Sequence, residues 1–125
     1  MVKRLLYPFY ERRLLADIAG GPLPRHVGLI QDGHRRYARE AGLADLTEGY
    51  RRGAAATEQV LHWCAELGIP LVTLWWLSTE NLLREPEELR AVITVIQARM
   101  VDWMRDGLPA RLGMRVCPIG RLELL

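Results

Sequence analysis

The sequence has little cysteine, almost no lysine and no long apolar stretch, and each shortage closes off a class of protein. Its two cysteines, Cys64 and Cys117, stand far apart in a chain of 125 residues. They fit neither a disulfide framework nor a zinc cluster, so a reducing cytoplasm is the expected setting. No uninterrupted apolar run approaches the ~20 residues that a membrane-spanning helix needs. A secretory signal is missing too, because Arg4, Pro8, Glu11, Arg12 and Arg13 break the stretch from Met1 to Leu15 before an apolar core can form. There is no internal repeat, no low-complexity segment and no GxGxxG fingerprint of a dinucleotide site. What is present is ordinary globular composition, 50% hydrophobic and 26% charged. The length suits one domain that buries roughly two-thirds of its unfolded surface.

The positive charge is carried almost entirely by arginine. Lys3 is the single lysine, and the net charge is only +2. Arg25, Arg35, Arg36, Arg39, Arg51 and Arg52 cluster in one stretch of the chain. A guanidinium presents a planar fork that pairs with two phosphate oxygens, whereas an ammonium is a point charge. Codon preference accounts for the scattered arginines; the cluster raises the further reading of a phosphorylated ligand. Nucleic acid fits less well, since Glu40, Asp45 and Glu48 interrupt the cluster and no basic stripe interleaved with aromatics is present.

Periodicity divides the chain into alternating elements. Residues 3–18 have Leu5, Leu6, Phe9, Tyr10, Leu14 and Ile18 at helical spacing, with Pro8 expected to bend or restart the helix. Gly20-Gly21-Pro22-Leu23-Pro24 is a loop. His26–Gln31 reads as a short buried strand ending at Asp32-Gly33, and Arg35–Ala41 as a short helix stopped by Gly42. A long helix from Thr47 to Leu67 follows, with Ala54, Ala55, Ala56, Val60, Leu61, Cys64 and Leu67 on its apolar face and Gly68 and Pro70 behind it. Leu71–Leu77 (LVTLWWL) suits a parallel strand covered on both sides. Pro86-Glu87-Glu88 opens another helix, reaching about Arg105, whose stripe is Leu89, Val92, Ile93, Ile96, Met100, Trp103 and Met104. Met114–Ile119 is a third strand, weakened by Pro118. Strands alternating with helices predict an α/β fold, a parallel sheet of about three strands with helices on both faces.

In such sheets ligands bind outside the carboxyl ends of the strands. Two polar clusters fall there. The first is Asp32-Gly33-His34-Arg35-Arg36, where backbone N–H groups and arginine forks could cradle a diphosphate and Asp32 could hold Mg²⁺ beside phosphate oxygens. Alone it also reads as a turn with a helix cap and two solvated arginines. The second is Ser78-Thr79-Glu80-Asn81 with Arg84, which abruptly ends the most hydrophobic segment of the chain. Helix capping explains one such residue but not four followed by an arginine. Two clusters converging on one sheet edge favour a binding site.

The same residues resemble the cis-prenyltransferases, the undecaprenyl diphosphate synthase family, over Pro24 to about Ala98. Arg25-His26-Val27 leading into Asp32-Gly33-His34-Arg35-Arg36-Tyr37-Ala38 is similar to the family's H-V-x-x-I-x-D-G-N-x-R-W-A. Gly49-Tyr50-Arg51-Arg52-Gly53 stands where the family usually has G-H-x-x-G. Leu77-Ser78-Thr79-Glu80-Asn81-Leu82-Leu83-Arg84 mirrors F-S-x-E-N-W-x-R. The chain looks most like the short-chain (Z)-farnesyl diphosphate synthase type of actinobacteria.

That resemblance implies a Mg²⁺-dependent transferase joining isopentenyl diphosphate to an allylic diphosphate with formation of a Z double bond. Asp32 and Asn81 would be catalytic, Asp32 assisting the metal and the departing diphosphate and Asn81 taking part in proton removal. Gly33, His34, Arg35, Arg36, Tyr37, Tyr50, Ser78, Thr79, Glu80, Leu82 and Arg84 match substrate-binding positions. Four of these depart from the pattern: His34 replaces asparagine, Tyr37 and Leu82 replace tryptophans, and Tyr50 replaces histidine. His34 is the weightiest change, since it puts a titratable ring where the cradle has an amide. The family chain is roughly twice as long and usually homodimeric. Residues 1–125 correspond to its amino-terminal half, with 1–23 a helix and loop and 24–125 the βαβαβ part carrying the allylic site. The later half of the family chain supplies most of the isopentenyl diphosphate pocket, so this chain alone is expected to turn over little or not at all. Contact with a membrane surface, though not crossing, is compatible with such products. The competing reading is a noncatalytic diphosphate-binding or partner subunit that associates through an open sheet edge.

Overall fold

Two four-residue strands carry the polar corners. The structure, a computed structural model, describes residues 2–124, with side chains from Leu6 onward. Leu5, expected on the first apolar face, and Leu125 lie outside these described side chains. Strands β1 (Val27–Ile30) and β2 (Val72–Trp75) pair in parallel, with Val27 opposite Val72 and Leu29 opposite Leu74. Because side chains alternate across a strand, these four share one face, and Gly28, Ile30, Thr73 and Trp75 share the other. The first face packs against helices. On the second, Ile30 is 78% and Trp75 56% exposed. The expectation of a strand covered on both sides is therefore corrected: Ile30 and Trp75 leave the second face of the sheet open to solvent.

Helix α1 (Val2–Ala19) runs through Pro8 without restarting. Leu6, Phe9, Tyr10, Leu14 and Ile18 are exposed, so helical spacing did not place them in a core. The Trp63 indole N–H donates to the Glu11 carboxylate and ties this helix to the body. Helix α2 (His34–Glu40) follows β1 directly, and α3 (Leu46–Glu66) begins after Asp45, whose carboxylate accepts the Thr47 N–H at 2.8 Å. After β2 comes a 3₁₀ turn (Thr79–Leu83), then α4 (Pro86–Asp106) and the short α5 (Leu108–Arg111). No helix among the described residues is long and apolar enough to cross a membrane.

The core forms two clusters along the α3–α4 seam. Tyr50, Val92 and Val95 pack with Ala54, Leu77 and Ile96 near the carboxyl end of the sheet. Leu61, Trp103 and Leu108 pack with Val72, Leu74 and Trp76 farther along the seam, and the Trp76 and Trp103 rings lie 5.8 Å apart. The predicted stripes hold in outline with local changes. On α4, Met104 is exposed and Val95 buried; on α3, Ala55 and Ala56 are exposed and Thr57 is buried. Thr57 meets the cost of burial by donating its hydroxyl to the Gly53 carbonyl one turn back.

The third strand expected over Met114–Ile119 does not form, and the sheet has two strands. A strand exists only where a neighbour completes its hydrogen-bond ladder, and an apolar run does not supply one. The Met114 N–H instead closes back on the Pro109 carbonyl at 2.7 Å, and Val116 and Ile119 are exposed.

Candidate functional site

Parallel pairing brings the ends of β1 and β2 to the same edge, and a cavity of about 740 Å³ opens there. The corner after β1 forms its wall on one side. Gly33 has φ +89°, a left-handed conformation that other residues adopt only with strain. In this conformation its N–H donates to Asp32 Oδ1 at 2.6 Å, and its carbonyl accepts the Tyr37 N–H, starting α2. The turn reading was right in part: Asp32 bonds the residue beside it, while α2 has no side-chain cap. Asp32, Arg35 and Arg36 are exposed at the cavity rim.

His34 turns inward instead. Its ring lies 5.3 Å from that of Tyr50, and a Cβ added at Gly53 would overlap its Nε2. Burial lowers its pKa, Arg84 adds to that effect and Asp32 opposes it. Gly49, one turn earlier on α3, touches the backbone of α2: a Cβ there would lie 3.0 Å from the His34 carbonyl oxygen and 3.2 Å from Ala38 Cβ. The two glycines of the Gly49–Gly53 pentad thus let α2 lie directly on α3.

The corner after β2 faces this one. The Asn81 N–H donates to the Ser78 carbonyl, and the Asn81 side-chain oxygen accepts the Ser78 N–H, both at 3.0 Å. This reciprocal pair fixes the turn and leaves Ser78 and Asn81 in the cavity wall. Arg84 closes the corner, with its guanidinium 3.0 Å from Glu88. The buried Tyr50 hydroxyl donates to Glu88 at 3.2 Å and receives Arg84 Nη1 at 3.4 Å. Burial and the adjacent Glu88 charge raise the pKa of Tyr50, so it remains a phenol with a proton to donate.

Nine of the residues expected at a site therefore share one cavity: Asp32, Gly33, His34, Arg35 and Arg36 from the first corner, Tyr50 from α3, and Ser78, Asn81 and Arg84 from the second. Four do not. Tyr37 lines a neighbouring cleft of about 380 Å³ and accepts a hydrogen bond from Arg52 at 2.9 Å. Thr79 and Glu80 are exposed and Leu82 is half-buried, all outside the cavity wall. The floor is apolar, with Ala54, Val92, Val95 and Ile96 supplied by the two long helices. Of the three alanines expected on the apolar face of α3, Ala54 lines this cavity.

Arg39 of the arginine cluster is in the lining, as are Gln31, Arg99 and Trp76, which no sequence pattern singled out. The side-chain nitrogens of Gln31 and Trp76 are buried without a partner among the described residues. Arg99 pairs with Glu58 at 3.2 Å across the α3–α4 seam. Glu88, expected only as an acid at a helix start, also pairs with Arg84, which lies in extended backbone just before α4. Among the described residues no three carboxylate, imidazole or thiol groups gather in one place.

Comparison with known proteins agrees with this layout. The family model described as "Putative undecaprenyl diphosphate synthase" matches residues 30–125. A (2Z,6E)-farnesyl diphosphate synthase of Thermobifida fusca is 46% identical over 120 residues, covering 96% of this chain and 45% of that protein. A short-chain Z-isoprenyl diphosphate synthase of Mycobacterium leprae is 47% identical over 126 residues, covering 99% of this chain and 47% of the relative. An isoprenyl transferase of Thermus thermophilus is 43% identical over 129 residues, covering 98% and 49%. The chain spans about half the length of the relatives it matches. With the paired corners in place and identity of this extent along nearly all of its residues, the chain belongs to the undecaprenyl diphosphate synthase family of prenyltransferases.

Proposed function

We propose that this chain carries the allylic-diphosphate site of a cis-prenyltransferase, which condenses isopentenyl diphosphate with an allylic diphosphate to give a Z-prenyl diphosphate. The observation that supports this most is the division of the cavity: Arg35, Arg36 and Arg84 stand with Asp32 on its polar side, and Ala54, Val92, Val95 and Ile96 form an apolar floor. That is the chemistry of a ligand with a charged head and a hydrocarbon tail. Arginine forks bind the diphosphate, Ser78 offers a hydroxyl donor, and the floor keeps water from the tail. Leaving-group charge that develops as the allylic C–O bond breaks is stabilised by groups already in place. In this reading Asn81, its orientation fixed by the Ser78 N–H, takes part in moving a proton from isopentenyl diphosphate.

Asp32 fits Mg²⁺: it is a single exposed carboxylate beside arginines, and this ion takes one or two carboxylates and fills its shell with phosphate oxygens and water. Bound there, Mg²⁺ would supply neutralising charge to the diphosphate. Cys64 and Cys117 are both free thiols, in keeping with a cytoplasmic setting.

The test is a titration of the chain with geranyl diphosphate in Mg²⁺ buffer, followed by product analysis after isopentenyl diphosphate is added. Binding is expected in the wild type and weakened about tenfold or more in Asp32→Ala and in Arg36→Ala, each of which removes a charged contact. Equal binding by all three proteins would overturn the site. Binding without turnover is the expected result for this half of the family chain, and turnover would overturn the noncatalytic reading.

A further inference from the structure

We infer that Glu88, a residue behind the cavity wall, is the positioning residue that aims two arginines at the diphosphate; this rests on the proposed diphosphate site. Glu88 lies in the first turn of α4, its side chain is only 14% exposed, and it is not part of the cavity lining. Its three partners are part of that lining, and each comes from a different element. Oε1 meets Arg84 Nη1 at 3.0 Å, behind the second corner, and accepts the Tyr50 hydroxyl of α3. Oε2 lies 3.5 Å from Arg35 Nη1 on α2. One carboxylate thus joins both corners to both long helices.

The geometry gives the carboxylate its role. A guanidinium has five N–H donors in a rigid fork, and each arginine directs one terminal nitrogen toward Glu88. The remaining donors of each fork are left for a ligand in the cavity. Without Glu88, two long side chains would have to be ordered when the ligand arrives, at a cost in rotamer entropy. Against this, a negative charge close to an anion site repels the anion. That repulsion is blunted because two cations flank the carboxylate and stand between it and the cavity. The two effects have opposite signs, which makes the inference decidable.

The experiment is calorimetric titration of the full 125-residue chain with inorganic pyrophosphate in Mg²⁺ buffer. It compares the wild type with Glu88→Gln, Arg84→Ala and the double variant. Glutamine keeps the size of glutamate and an acceptor for Tyr50 but removes the charge that holds the forks. Glu88→Gln is expected to weaken pyrophosphate binding about tenfold, and to weaken it by about threefold or less when Arg84 is already alanine. Unchanged or tighter binding in Glu88→Gln would mean that repulsion dominates and would overturn the inference. The same loss in both backgrounds would make Glu88 a general structural residue, with the same consequence. If Glu88→Gln does not fold, Tyr50→Phe replaces it. That variant removes one hydrogen bond to the carboxylate, and it must weaken binding in the wild-type background more than in Arg84→Ala. A wild type that binds no pyrophosphate would overturn the diphosphate reading itself, and this inference with it.

Discussion

The two polar corners end neighbouring strands at the same sheet edge, yet they are built on different plans. The corner after β1 is open: Asp32, Arg35 and Arg36 are exposed, α2 has no side-chain cap, and the turn depends on the left-handed Gly33. The corner after β2 is closed on itself. Ser78 and Asn81 satisfy each other, and Arg84 is ion-paired and hydrogen-bonded before any ligand arrives. Groups already satisfied lose little freedom when a ligand binds, whereas the exposed arginines of the first corner, Arg36 more than the Glu88-paired Arg35, lose more and gain more. The second corner is a fixed frame, and the first is the part that a ligand completes.

The strongest test of this contrast is Gly49→Ala. Its Cβ would press on the His34 carbonyl oxygen and Ala38 Cβ, backbone-linked neighbours that cannot turn aside. Unfolding in urea should show a loss of ~1–3 kcal/mol, the usual range for overpacking. A loss below that range would mean that α2 is not docked through Gly49 and that the open corner has no rigid support. Asn81→Ala should follow, costing about 1 kcal/mol, as cap removal does. Because that loss would fall on the frame, nitrogen-15 relaxation should show new motion at Ser78–Leu83 but none at Asp32–Arg36; the reverse would invert the comparison. The smallest effect is expected from Gly53→Ala. There the obstacle is the far end of the His34 side chain, which can swing away, and alanine favours the helix by roughly 0.5–1 kcal/mol. Stability should change by less than about 0.5 kcal/mol while the His34 ring resonances move; a large loss would show that the ring is locked.

Legibility in the sequence followed the same division. Elements bounded by local chemistry were readable: Gly42 behind α2, Gly68 and Pro70 behind α3, and Pro86 at the start of α4 act within a few residues. The carboxyl ends of the strands were readable for the same reason, and nine of the thirteen expected site residues share one cavity. What depended on distant partners was not readable. Met114–Ile119 has strand composition but no ladder to join. The helical spacing of Leu6, Phe9, Tyr10 and Leu14 says that these residues share a side of α1, not that anything covers that side. The inward turn of His34 required knowing that Gly53 lies beneath it, and no local pattern carries that. Glu88 was only partly within reach, since Arg84 stands just four residues before it but its second and third connections come from α2 and α3.

Helix α1 carries its own consequence. Among the described residues, its side-chain hydrogen bond to the body is the one between Trp63 and Glu11. Its amide protons should therefore exchange with solvent through local fraying, at rates set by that contact and not by global unfolding. Much of the α3–α4 seam, by contrast, would have to open as a unit. The chain then has two thresholds of opening, and a destabilised core would leave the lower one nearly unchanged.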